Sequence, residues 1–290
     1  MAMPESQKLV AVISKPGQHE LAQVVERLVQ WLRAHQFAVI VDKQTAAHTN
    51  EFESVEREKI AARKPSFVIV LGGDGTLLAA ARAVAKASIP ILAVNLGSLG
   101  FLTEVPLSEL YPTLEAMHEK HCGIERRAML RCQLIREEKC IGDYDALNDV
   151  VVSKSTLARI ADFDVRLDGA FISNYKADAL IIATPTGSTA YSLAAGGPIL
   201  APDVAAFVIT PVSPHALTNR PLVVQDAASI VVQVNSAEGM FLTVDGQVGT
   251  PLVPGDRVEC AKSNSHVELF RLKSKTFFDV LRQKLKWGQR

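Results

Sequence analysis

At 290 residues the chain has room for one large domain or two medium ones. Hydrophobic residues make up 48% and charged residues 21%, the balance of a soluble globular protein with a full core. The 31 basic and 31 acidic side chains cancel, which removes the basic excess expected of a nucleic-acid binder.

Met1–Gln7 lead directly into a strand and carry no leader pattern, so the chain is expected to be cytoplasmic. Lys8–Ser14 is that first strand. Leu21, Val24, Val25, Leu28, Trp31 and Leu32 recur at helical spacing and predict a helix over one sheet face. Phe37–Val41 is a second strand, and a polar stretch expected to be helical runs to Arg63. Phe67–Leu71 is unbroken apolar and mostly β-branched, the pattern of a strand buried on both faces.

Behind that strand stand Gly72, Gly73, Asp74, Gly75 and Thr76, followed by good helix formers. Three glycines in four positions leave backbone N–H groups bare, and a helix start favours anionic oxygens. Asp74 placed there reads as a base or metal ligand beside a phosphate, or simply as a helix cap. No G-x-x-x-x-G-K-[ST] and no G-x-G-x-x-G occurs in the chain. Ile89–Val94 is a fourth strand, Asn95–Phe101 leaves it, and Ser108 is expected to cap a helix to about Lys120. Alternating strands and helices predict a parallel sheet, with ligands at the carboxyl ends of its strands.

Near residue 125 the pattern changes. Short apolar runs at 128–135, 160–167, 179–184, 205–210, 229–234 and 266–272 predict an antiparallel β domain over 125–272. Asp168-Gly169 and Asp245-Gly246 read as its hairpin turns. Residues 1–124 form the α/β domain. A tail at 273–290, with Phe277, Phe278, Leu281 and Leu285 on one helical face, is expected to pack back onto it. The uncharged stretch 179–202 is too rich in Gly, Pro, Ser and Thr for a membrane helix.

Lys176–Pro198 is the second unusual stretch: a charged lead-in, an apolar strand, then hydroxyls and glycines opening a short helix near Ala190. Hydroxyls and open backbone suit a nucleotide; a long capped loop would look the same. Asn148-Asp149, ahead of Val150–Val152, could hold ribose hydroxyls or serve as turn residues. His118-x-x-His121-Cys122 has no second pair to complete a zinc site. Cys122, Cys132, Cys140 and Cys260 make no C-x-x-C and read as reduced thiols. The absence of G-x-S-x-G sets a serine hydrolase aside.

With these pieces in place, the chain resembles the bacterial NAD kinases. The likeness rests on GGDG at 72–75, NLGSLGFLTE at 95–104, Asn148-Asp149, Lys176–Asp178, TPTGSTAYSLAAGGP at 184–198, PVSPHALTNRP at 211–221 and VDGQ at 244–247, in the family's order. GGDG is shared with diacylglycerol and sphingosine kinases, so a lipid kinase of that class is an alternative. A non-catalytic nucleotide-binding sensor is another. The resemblance implies ATP-dependent phosphorylation of the 2′-hydroxyl of the adenosine ribose of NAD, giving NADP. It implies a divalent cation, with no ligands assigned, and a homodimer or homotetramer without membrane or nucleic-acid partners. It makes Asp74 the base, and gives Asp74, Gly75 and Phe101 contacts to NAD. Asn148 and Asp149 would hold the ribose; Thr189, Ala190, Tyr191, Ser192, Leu193 and Ala194 would line the dinucleotide site. Lys176 and Asp178 would serve the far half of NAD, with Arg159 and Gln247 completing the wall. Many members have glutamate where this chain has Asp149.

Overall fold

The structure is a computed structural model and describes residues 7–17, 21–47, 52–97, 99–119, 121–155, 160–235, 239–272 and 276–288. The chain divides into two compact units, residues 1–126 with 267–290, and residues 127–266.

The first unit is built on a parallel sheet in the order Ile91–Asn95, Phe67–Leu71, Leu9–Ser14, Ala38–Asp42, Ser54–Val55. Every residue of Phe67–Leu71 and Ile91–Asn95 is buried, as unbroken apolar runs require. The helix Leu21–Ala34 covers the sheet with Leu21, Val25, Leu28, Val29 and Leu32. Val105–Pro106 and Leu269 extend the sheet in parallel beside Ile91–Asn95. Because neighbouring strands run the same way, Gly72 and Leu96 both follow carboxyl ends on the same side of the sheet. Those strand ends position the site.

Three local expectations are corrected. The polar stretch to Arg63 is not one helix: it holds a four-residue helix Lys43–Ala46, a two-residue strand and two 3₁₀ turns. Asp42 folds it back, accepting from Thr45 N at 2.9 Å and Arg57 Nε at 2.8 Å. Ser108 caps nothing; it lies in the 3₁₀ turn Leu107–Glu109, and the helix Leu110–His118 follows without a side-chain cap. Pro112 belongs in a first helical turn, where its missing N–H costs nothing, so the helix starts at Leu110. The tail helix Phe277–Leu285 is in the first unit, closed by a Thr276–Asp279 capping box. Val280 and Leu281 carry its burial, while Phe278 is exposed.

The second unit holds a six-stranded antiparallel sheet in the order Leu222–Gln225, Ala206–Val212, Ala179–Ala183, Asp149–Lys154, Met240–Val244, Val248–Leu252. A second ladder runs Ala170–Ala177, Ala161–Leu167, Ile230–Val234 and the start of Arg257–Leu272. One core joins both, including Val150, Phe163, Ile182, Phe207, Val232 and Leu242. Asp168 and Gly169 (φ 49° and 81°) and Asp245 and Gly246 (φ 50° and 64°) close hairpins with two consecutive left-handed residues, as expected of Asp-Gly turns. The strand Lys139–Ala146, hairpin partner of Cys122–Arg136, is too polar and exposed for its sequence to announce it. All four cysteines are free. Among the described residues no helix is long and apolar enough to cross a membrane.

Candidate active site

Asp74 is the first residue of the helix Asp74–Val84, and Gly73 is its N-cap. The aspartate therefore does not cap this helix. Gly72 must lack a side chain, since a Cβ there would meet Thr76 Oγ1 at 2.4 Å. Gly73 and Gly75 are exposed on either side of a half-buried Asp74. The helix start favours anionic oxygens at this spot.

The Asp74 carboxylate turns sideways onto the loop that follows Ile91–Asn95. Oδ2 accepts from Phe101 N at 2.9 Å. Oδ1 accepts from Leu102 N at 3.2 Å, Thr103 N at 3.0 Å and Thr103 Oγ1 at 3.0 Å. Gly100 lies against this contact: a Cβ would meet Asp74 Oδ1 at 2.1 Å and Thr103 Oγ1 at 2.2 Å. Asn95 Nδ2 donates to the Thr103 carbonyl at 3.1 Å, and Gly100 N donates to the same oxygen at 3.3 Å. Arg271 Nη1 bonds Glu104 Oε2 at 2.7 Å, so the next residue is held by a largely buried ion pair. Asp74, Gly75 and Phe101 thus come together; Lys284 Nζ sits 5.4 Å from the Phe101 ring centroid. Gly100 and Thr103 belong to the quoted NLGSLGFLTE stretch, yet their contacts with Asp74 span nearly 30 positions and no local pattern reports them.

In the second unit Asn148 is half-buried and Asp149 buried at the start of the strand Asp149–Lys154. Asp245 holds them. Its carboxylate accepts from Leu147 N at 3.1 Å, Asn148 N at 2.7 Å and Asp149 N at 3.2 Å. Thr184 grips the same segment, donating from N to the Asn148 carbonyl at 2.9 Å and from its hydroxyl to the Leu147 carbonyl. A Cβ on Gly187 would fall 2.0 Å from the Asn148 carbonyl oxygen, so only glycine lets the turn approach. Burial, and then the negative charge of Asp245, push the Asp149 carboxyl up to about 7. Asp245 was legible in the sequence as a turn residue and as part of VDGQ at 244–247, not as the partner of Leu147–Asp149.

Thr189, Ala190, Tyr191, Ser192, Leu193 and Ala194 follow the strand Ala179–Ala183 through a 3₁₀ turn and a one-turn helix. Tyr191 is exposed, whereas Ser192 is fully buried and bonds Thr210 Oγ1 at 2.9 Å. Ser192 therefore fastens the turn and offers no hydroxyl outward. Arg127, 2% exposed, donates to Thr186 Oγ1 at 3.3 Å and places a buried cation under the same turn. Asp178 lies just before the strand, paired with Lys154 Nζ at 2.7 Å, and Lys176 is exposed two residues earlier. At a strand's rise of ~3.3 Å per residue, Asp178 and Thr184 lie about 20 Å apart. Gln247 is exposed in the hairpin turn beyond Asp245. Arg159 lies outside the described residues.

Among the described residues no group of three or more His, Cys, Asp or Glu side chains could hold a metal ion. The geometry provides a half-buried carboxylate among backbone donors in one unit, and in the other a turn fastened by its own hydroxyls beside the held backbone of Asn148 and Asp149. The glycines and helix start of the first suit an anionic, phosphate-bearing ligand.

Comparison with known proteins agrees. Residues 10–122 match the family model of the ATP-NAD kinase N-terminal domain, and residues 147–272 that of the ATP-NAD kinase C-terminal domain. The chain is 57% identical over 284 residues to an NAD kinase of Koribacter versatilis, covering 98% of this chain and 99% of that one. It is 54% identical over 282 residues to an NAD kinase of Acidobacterium capsulatum, covering 97% and 99%. Among solved structures, yeast NADH kinase complexed with NADH is similar at a TM-score of 0.89 and 25% identity, covering 99% of this chain and 90% of that one. An NAD kinase from Archaeoglobus fulgidus in complex with ATP is similar at a TM-score of 0.77 and 25% identity, covering 96% and 98%.

Proposed function

This chain belongs to the NAD kinase family and is an ATP-dependent kinase of NAD; we propose that Asp74 is the base of the reaction and the 2′-hydroxyl of the adenosine ribose its acceptor. A ribose hydroxyl is a poor nucleophile near pH 7. A carboxylate within hydrogen-bond reach takes its proton as attack develops, worth ~10²–10⁴-fold. The O2′–H bond breaks to the carboxylate while O2′ bonds the γ-phosphorus. The bond from that phosphorus to the bridging oxygen breaks, and its electron pair leaves with ADP. Positioning and charge stabilisation supply most of the remaining acceleration. The observation that supports Asp74 most directly is its half-buried carboxylate, set among exposed glycines at a helix start.

Asn148 and Asp149 are assigned to the adenosine ribose, and the 184–194 turn to the dinucleotide. Lys176 and Asp178, at the other end of a five-residue strand, suit the far half of an extended dinucleotide. A Mg²⁺ ion is usually held by substrate phosphates and water with few protein ligands, so the divalent cation is assigned to the phosphates of ATP, as part of that substrate. A cytoplasmic homodimer or homotetramer is part of the proposal and rests on the resemblance alone.

Incubating pure protein with ATP, Mg²⁺ and NAD, followed by an NADP assay, tests the reading. NADP is the expected product. Phosphorylation of a lipid acceptor alone, or NAD binding without turnover, would overturn it.

A further inference from the structure

The two oxygens of Asp74 are not equivalent. A carboxylate oxygen has two lone pairs. Oδ1 already faces three donors: Leu102 N, Thr103 N and Thr103 Oγ1. Oδ2 faces one among the described residues, Phe101 N at 2.9 Å, and keeps a lone pair for a further donor.

Thr103 is not a loose contributor. It is fully buried, and its carbonyl is held by Asn95 Nδ2 and Gly100 N. Its neighbour Glu104 is tied to Arg271, which also pairs with Glu125. The Gly100 Cα closes over the hydroxyl–carboxylate contact, where any side chain would collide. The hydroxyl is thus aimed at Oδ1 by four separate fixtures: Asn95, Gly100, the Thr103 backbone and the Glu104 ion pair.

We propose that Thr103 is a positioning residue that anchors Oδ1, so that Oδ2 is the oxygen presented to the acceptor hydroxyl. The inference rests on the reading of Asp74 as the base. The proton of the acceptor O–H passes to the second lone pair of Oδ2, and Phe101 N–H keeps the first. The hydroxyl oxygen bonds the γ-phosphorus as the phosphorus–ADP bond breaks, and ADP leaves with the electron pair. Rotation of the carboxylate would move Oδ2 off this line; the Thr103 hydroxyl opposes that rotation.

The test is steady-state kinetics on T103V, T103A and T103S beside D74N, with thermal melts of each. T103V keeps the shape and the backbone N–H and removes only the hydroxyl. Its kcat is expected to fall about tenfold, the worth of one hydrogen bond to a charged group. KM for NAD and for ATP should stay within about twofold, because the hydroxyl touches neither substrate. T103S restores the hydroxyl and should return kcat to within about threefold of the parent. A residue that merely stabilised the fold would lower the melting temperature without this separation of kcat from KM and without rescue by serine. Should T103V fail to fold, T103A read against T103S gives the same comparison. A kcat within twofold of the parent in T103V, or equal losses in T103V and T103S, overturns the inference. D74N separates the two levels: if D74N is inactive while T103V matches the parent, the anchoring fails and the base reading stands. If D74N keeps its turnover, the base reading itself fails.

Discussion

Each unit uses one aspartate to gather three consecutive backbone N–H groups. In the first, Asp74 accepts from Phe101, Leu102 and Thr103; in the second, Asp245 accepts from Leu147, Asn148 and Asp149. Access separates them. Asp74 is half-buried, whereas Asp245 is 6% exposed. A carboxylate that a ligand can reach can exchange a proton with it; a sealed one can only hold backbone. The same device therefore leaves a reachable carboxylate in one unit and a sealed fastener in the other, where it holds the segment Leu147–Asp149.

The largest effect should come from removing the reachable charge. Asp74→Asn is expected to lower turnover at least ~10²-fold while NAD affinity stays within several-fold. An amide whose oxygen takes the place of Oδ1 turns its NH₂ toward Phe101 N–H, so the side chain also loses its second anchor. Single-turnover rates and calorimetric NAD binding check both parts. Unchanged turnover would leave Asp74 as a fastener like Asp245, and the contrast between the units would collapse.

A glycine guards each device, and substituting them sharpens the contrast. Gly100→Ala drives a Cβ into Asp74 Oδ1, and Gly187→Ala drives one into the Asn148 carbonyl. Each should cost ~1–3 kcal/mol of stability through overpacking. The kinetic consequences should differ: about a tenfold fall in kcat for Gly100→Ala, and about a tenfold rise in KM for NAD for Gly187→Ala. Initial-rate kinetics with urea melts measure both. A KM effect from the first and a kcat effect from the second would exchange the roles assigned to the two devices.

The sequence made much of this legible, and its failures have a physical pattern. Phe67–Leu71 and Ile91–Asn95 were readable because strands buried on both faces must be apolar throughout. Asp168-Gly169 and Asp245-Gly246 were readable because two left-handed residues in a row demand such chemistry. Lys139–Ala146 was not, since a half-exposed strand carries little apolar signal. The start of the helix at Leu110 was missed because a serine suggested a cap that the 3₁₀ turn never uses. In the site, Asp74 stood out by its glycines. Thr103 and Asp245 did not, because what they do depends on partners 29 and about 97 residues away.

The smallest effect, taken one pH unit at a time, concerns the proton that burial first and the Asp245 charge second keep on Asp149. Asp149 is expected to keep its proton in the folded protein up to about pH 7, raised by burial first and by the Asp245 charge second. In the unfolded chain the same carboxyl ionises near 3.8. Between those values the folded state holds one more proton than the unfolded one, so raising the pH favours unfolding. The group should cost ~1 kcal/mol of stability per pH unit from about pH 4 to about pH 7, and nothing further above that. Asp149→Asn cannot ionise and should lack this slope. Urea denaturation of parent and variant at pH 5, 6, 7 and 8 measures it, because contributions from all other groups cancel in the difference. A constant difference across the series would mean that Asp149 is charged in the folded state, and that Asp245 fastens the Leu147–Asp149 segment without altering its charge. A slope that shrinks in Asp245→Asn would show the fastener acting on the buried Asp149 carboxyl through its field, as well as on the backbone through its hydrogen bonds.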